Sequence, residues 1–372
     1  AVGTVSDTVE AVSERLNTYA ALVPKLARWQ AELLLAEAVG EHSLEAALRD
    51  LVFPDGGVLS RAPQQLMELI ALLSTLRECY IARQEAVPDF LTDTLGRNVP
   101  ALLGLTHADG GLGAWQGCGH VASERIEALV QASGVRARPL RQALDWGYQR
   151  VSAGPAVLQV DAGPPPHAKQ ALVGCASTLA FEFSFGKQRI VINCGGAGLA
   201  GASIPAALAR GLRTTAAHSA LCVDDSNSTA LLAKGQLGAG VVDVELERRD
   251  IEKATRIEAN HDGYARAYGF IHNRVLILRS DGLELRGEDT LLPHAKYKGR
   301  EEVPAHLRFH LGPDIELLLA DDPKAFADAI VKVLSDSRLA DRLGRSAAEL
   351  VRENFGWQRV SGLDGQSRDF YV

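Results

Sequence analysis

The chain has 372 residues, 47% of them hydrophobic and 23% charged, with a formal net charge of −7. That length holds two or three domains, and the balance is that of a globular chain with enough apolar residues for a sizeable core. The negative charge argues against nucleic acid as a partner, and no apolar run reaches membrane-spanning length. Cys79, Cys118, Cys175, Cys194 and Cys222 make an odd set without metal-site spacing, so neither a disulfide framework nor a zinc finger is indicated. No signal-peptide pattern opens the chain, which starts on Ala1 rather than Met, and the compartment stays open.

Apolar residues from Val9 to Leu33 recur at helical spacing, which predicts one or two helices over 1–37. Ser43 is placed to cap the next helix, LEAALRDLVF, and Pro54 to Gly57 form a turn. Pro63 to Ala82 and Pro88 to Leu105 read as long helices, Asp109 to Gly113 as a break, and Ser123 to Ser133 as another helix. Such helical hairpins build a bundle, a solenoid or part of an α/α toroid. From Gly147 the period becomes two, and six or more strands follow in series, the pattern of an antiparallel sandwich. Asp281-Gly282 marks a hairpin between ILRS and LELRG. Beyond Glu316 helical spacing returns, starting at Asp322-Pro323 and again at Ser337.

The chain is organised around 180–225. AFEFS and QRIVINC form a hairpin that puts Phe181 and Phe183 on one face, Glu182 and Ser184 on the other. Gly196, Gly198 and Gly201 then fit the dinucleotide fingerprint, followed by a helix in IPAALARGL and an acidic pair at Asp224-Asp225. Against that reading, the preceding strand is the second arm of a hairpin, and no alternating strand–helix units follow.

FPDGGVLSRAPQ, HADGGLGAWQG, WGYQRVSAGPAVLQVDAGPPP, TTAAHSALCVDD and NHDGYARAYGFIHNRVLIL stand in an order that resembles the heparinase II/III-like family of polysaccharide lyases. The resemblance covers about 44–310. It implies an N-terminal α/α toroid joined to a β-sandwich, with a cleft between them where uronic-acid glycans undergo β-elimination. That chemistry needs a neutralised substrate carboxylate, a base for the C5 proton and an acid for the leaving oxygen. Carried over, the resemblance assigns catalysis to His218, His261 and Tyr264, and substrate binding to Tyr148, Arg150, Asn193 and His272. For each of these a packing role is the alternative. The implied partner is an acidic polysaccharide or oligosaccharide, with homo-oligomerisation left open and the bacterial periplasm or cytoplasm as setting.

Two departures stand out. Cys175 occupies the place of the family's histidine before the first hairpin strand, and Ser177 and Asn193 replace ligands of a structural zinc. No metal and no cofactor are therefore expected. The stretch 318–357 is in addition similar to the C-terminal helices of GT-B glycosyltransferases. The resulting expectation is an α+β multidomain chain. Helical hairpins (a partial toroid) occupy 1–140, an antiparallel sandwich 141–315 and a helical pair 316–372. Its function is lyase-like, or that of an inactive carbohydrate-binding or scaffold protein of the same fold, or of a glycosyltransferase relative.

Overall fold

The computed structural model describes residues 41–167, 173–196, 204–233, 235–299 and 302–315, with isolated positions beyond. The predicted helices of 1–37, Gly198, Gly201 and nearly all of the C-terminal helical pair lie outside the described residues.

Four helices come first: α1 (Glu41–Leu51), α2 (Pro63–Ala82), α3 (Asp89–Gly104) and α4 (Ser123–Ser133). Ser43 lies inside α1 rather than at its cap, because the helix already includes Glu41. Pro63 opens α2, where a missing N–H costs nothing. Gly134 closes α4 in the left-handed conformation, at φ 69°. Leu66, Ile70, Leu73, Leu91, Leu95 and Leu102 are fully buried between these helices, and Trp115 and Trp146 extend that core towards the strands.

A first antiparallel sheet pairs β1 (Gln142–Ala143), β2 (Tyr148–Ala153), β3 (Ala156–Asp161) and β4 (Phe181–Phe185) in chain order. Every residue of β3 is buried, so both faces of the sheet are covered. β5 (Gln188–Ile192) follows β4, and the helix expected in IPAALARGL is the short α5 (Ala206–Gly211). β6 (Leu221–Val223), β7 (Thr229–Leu231) and β8 (Leu237–Gly240) are short. A second antiparallel sheet has the order β12 (Leu285–Pro293), β11 (Phe270–Arg279), β10 (Ala254–His261), β9 (Val244–Ile251). The one-turn α6 (Ala265–Tyr268) joins β10 to β11. The turn after β11 contains Asp281 and Gly282, with Gly282 at φ 76°. A Cβ there would meet the Ala153 carbonyl oxygen at 2.1 Å, so glycine is required twice over. β13 (Ala305–Leu307) pairs with β6, and β14 (His310–Leu311) ends the strands.

The chain divides into two compact units, one made of 1–187 with 191–310, the other of 188–190 with 311–372. The helices and both sheets share the first unit. In the second, the Gly312 amide donates to the Ile190 carbonyl at 3.2 Å.

Candidate functional site

The strand period sorts the side chains of the first sheet into two seams. Tyr148, Arg150, Gln159, Asp161, Glu182 and Ser184 point towards the helices. The opposite side carries Phe181 and Phe183. The expected division of the β4 residues is thus seen in their partners: His107 meets both Glu182 and Ser184, while Phe181 lies against Phe309 and Arg274.

The helix-facing seam holds charge at full burial. Arg61 sits at φ 56°, a left-handed conformation that costs a non-glycine residue energy and is held here by its bonds. Its guanidinium meets Asp161 at 2.6 Å, donates to the carbonyls of Trp146 (2.7 Å) and Pro164 (2.9 Å), and lies 4.7 Å from the Tyr148 ring centroid. Burial opposes its charge, yet Asp161 keeps its pKa above the ordinary arginine value. Asp161 also accepts from Ser177 at 2.7 Å and from Gln116 at 3.2 Å. Beside it, His107 Nε2 lies 2.8 Å from Glu182, and Nδ1 lies 2.9 Å from the Ser184 hydroxyl. Burial works against the Glu182 carboxylate, but His107 and the amides of Ala114 and Asn193 hold its pKa below the usual range.

The second seam lies on the inward side of the second sheet. His261 Nδ1 accepts from the Gly263 amide at 3.1 Å, which puts that ring's proton on Nε2. Nε2 faces His272 Nδ1 at 3.3 Å, and His272 Nε2 then donates to Asp289 at 2.6 Å. One tautomer of each neutral ring satisfies the whole line. Arg274 grips Asp289 with two nitrogens, at 2.7 and 3.1 Å, and donates to the carbonyls of Leu179 and Ser219. Tyr264 lies beside His261, with ring centroids 5.4 Å apart, and its hydroxyl donates to the Leu221 carbonyl at 2.7 Å.

The sequence candidates therefore separate. His261, His272 and Tyr264 come together. His218 stands apart, its Nδ1 2.7 Å from the Thr214 carbonyl. Tyr148, Arg150 and Asn193 belong to the helix-facing seam, where Tyr148 donates to the Arg61 carbonyl, Arg150 to the Thr106 carbonyl and Asn193 to Glu182. All seven are buried; His218, His261 and Tyr264 are each 1% exposed. Burial lowers the His218 pKa to about 4, lowers His261 well below the ordinary imidazole value, and raises the Tyr264 phenol. Cys175, expected from the sequence to replace the family's histidine, is pushed up to about 12 by burial.

The positions expected to replace zinc ligands have other work. Ser177 bonds Asp161, and Asn193 bridges Glu182 and the Ser219 amide. No cluster of three or more His, Cys, Asp or Glu fit for a metal occurs among the described residues. No helix among them is long and apolar enough to cross a membrane. A cavity of about 560 Å³ lies at α3 and α4, lined by Leu103, Thr106, Ile126, Val130 and Arg136 among others; none of the seven candidates lines it.

Sequence reasoning missed Arg61, His107, Asp161, Glu182, Arg274 and Asp289. One signal was available: AVLQVD ends an apolar strand on a carboxylate, which needs a buried partner.

A family model described as heparinase II/III-like, C-terminal, matches residues 135–358. FtsZ-localized protein C of Caulobacter vibrioides is 32% identical over 312 residues, which is 78% of this chain and 53% of that protein. The chain thus spans about half the length of this curated relative. Among solved structures, a heparinase III gene product aligns with a TM-score of 0.56 and 14% identity, over 86% of this chain and 48% of its own. A second Heparinase III structure aligns at 0.53 and 13%, over 77% and 47%. At such identities these likenesses speak for the fold alone.

Proposed function

The chain belongs to the heparinase II/III-like family, and from that premise we propose that it uses the fold for binding or scaffolding rather than for elimination. We read α1–α4 as part of a toroid and the two sheets as a sandwich, with domain limits at 1–140, 141–315 and 316–372. One observation carries the functional reading. Elimination needs a base, an acid and a carboxylate clamp that all reach a polymer. Here the groups in those positions are buried and bonded to one another or to the backbone. A buried imidazole with a depressed pKa is a weak base, and a phenol with a raised pKa is a weak acid.

The direct test is ultraviolet absorbance of unsaturated uronate during incubation with heparan-like and alginate-like polymers. The expected outcome is no product with either wild type or His218→Ala, alongside retention of the protein on an acidic glycan or another partner. Product formation that His218→Ala abolishes would overturn the reading.

A lyase reading has one observation in its favour: His261, His272 and Tyr264 converge, and Asp289 orients His272 as a carboxylate orients a catalytic imidazole. In that case His218, His261 and Tyr264 are the acid–base set and Tyr148, Arg150, Asn193 and His272 the clamp. The name of the Caulobacter relative places that protein with FtsZ. Co-sedimentation with FtsZ polymers is the matching partner assay for the scaffold reading.

A further inference from the structure

The outward face of the second sheet carries an unusual charge pattern. The register aligns Glu288, Val275, Glu258 and Glu247 as one row across β12, β11, β10 and β9. The next outward row is Arg286, Ile277, Arg256 and Arg249. Like charges directly opposite one another across strands destabilise a sheet, and here Glu258 faces Glu247 and Arg256 faces Arg249. Within the chain the compensation runs along the strands, through Arg256–Glu258 at 2.7 Å and Arg249–Glu247. Glu247, Arg249, Arg286 and Glu288 are exposed, and Val275 and Ile277 half-buried.

We propose that this face binds a second copy of the same chain, related by a two-fold axis running between the two rows. That operation lays the acidic row of one copy over the basic row of the other. Glu288 then meets Arg286, Glu258 meets Arg256, Glu247 meets Arg249, and Val275 meets Ile277, each twice. Every position of these two rows finds its complement, which is what an isologous contact requires. Four strands about 4.8 Å apart and eight residues rising about 3.3 Å each give a face on the order of 500 Å². Stable interfaces bury roughly 800 Å² per partner, so the pairing is concentration-dependent and strengthened by low salt.

Sedimentation velocity on the full chain over a concentration series tests this. Wild type is expected to dimerise at low ionic strength, with affinity falling about tenfold or more in high salt. Glu247→Arg/Glu258→Arg/Glu288→Arg is expected to be monomeric, as is Arg249→Glu/Arg256→Glu/Arg286→Glu. An equimolar mixture of the two is expected to recover the dimer. Should either triple variant fail to fold, Val275→Cys mixed with Ile277→Cys, both in a Cys194→Ser background, is expected to crosslink through a short bis-maleimide. Either alone is expected to crosslink far less. A wild type that stays monomeric at several hundred micromolar in low salt overturns the proposal. So does a dimer indifferent to both triple variants.

Discussion

The two buried seams solve one problem in opposite ways. Facing the helices, Arg61–Asp161 and His107–Glu182 keep polar groups at near-zero exposure by pairing them and saturating them with amides and carbonyls. Beyond the first sheet, His261 and His272 are buried as neutral rings in a line that ends on Asp289. The second seam is sensitive to acid, because burial lowers the pKa of both of its rings. Polar burial by itself says little about function; the protonation state at which it is satisfied says more.

The strongest way to break the first seam is Arg61→Met. It removes the charge partner of Asp161 and the donor to the carbonyls of Trp146 and Pro164, and is expected to cost about 3–5 kcal/mol of unfolding free energy in urea titrations. Acid separates the buried His218, His261 and His272 from the first seam, and His218, which lies outside both seams, gives the clearest case. The His218 pKa is about 4 when folded and near 6.5 when unfolded, so the unfolded chain binds the extra proton. Its stabilisation is complete above pH 6.5 and is lost as pH falls towards 4, by on the order of 3 kcal/mol. His261 and His272 act in the same direction. Glu182, with its pKa lowered in the fold, keeps its contribution until pH drops below the unfolded carboxylate value, near 4.5. Between pH 6.5 and 4.5, urea midpoints should fall in wild type and fall less in His218→Gln. His107→Ala, which removes one of several Glu182 partners, is expected to cost about 2–3 kcal/mol in the same titration at neutral pH. Tyr264→Phe loses the bond to Leu221, about 1 kcal/mol, visible as a small drop in Tm. Leu283→Ser, at a side chain 66% exposed, should stay within about 0.5 kcal/mol by the same assay.

Much of the fold was legible because its signals are local. Pro63 and the apolar run behind it define α2, and the alternation in RVLILRSDGLELRGED marks β11, the turn at Gly282 and β12. Ser43 misled because a good capping residue need not mark a boundary; residues before it, from Glu41, are already helical. The site was harder to read. Arg61 and Asp161 are 100 positions apart, and His107 and Glu182 are 75. Spacing along the chain carries no trace of such pairs. The histidines stood out by residue type, but a sequence does not report that His218 and Tyr264 are turned inward. The family resemblance supplied a mixed chain of helices and antiparallel sheets, and the burial of the carried-over residues was not part of it.

The fork of Arg61 reaches carbonyls and a carboxylate 85 to 103 residues further along. During synthesis the helices around it emerge well before those acceptors do. Until Pro164 has left the ribosome, the guanidinium has nowhere dry to go and must stay hydrated. The helical layer should therefore complete its packing only when the third strand arrives, and fragments ending before that point should be chaperone clients rather than folded intermediates.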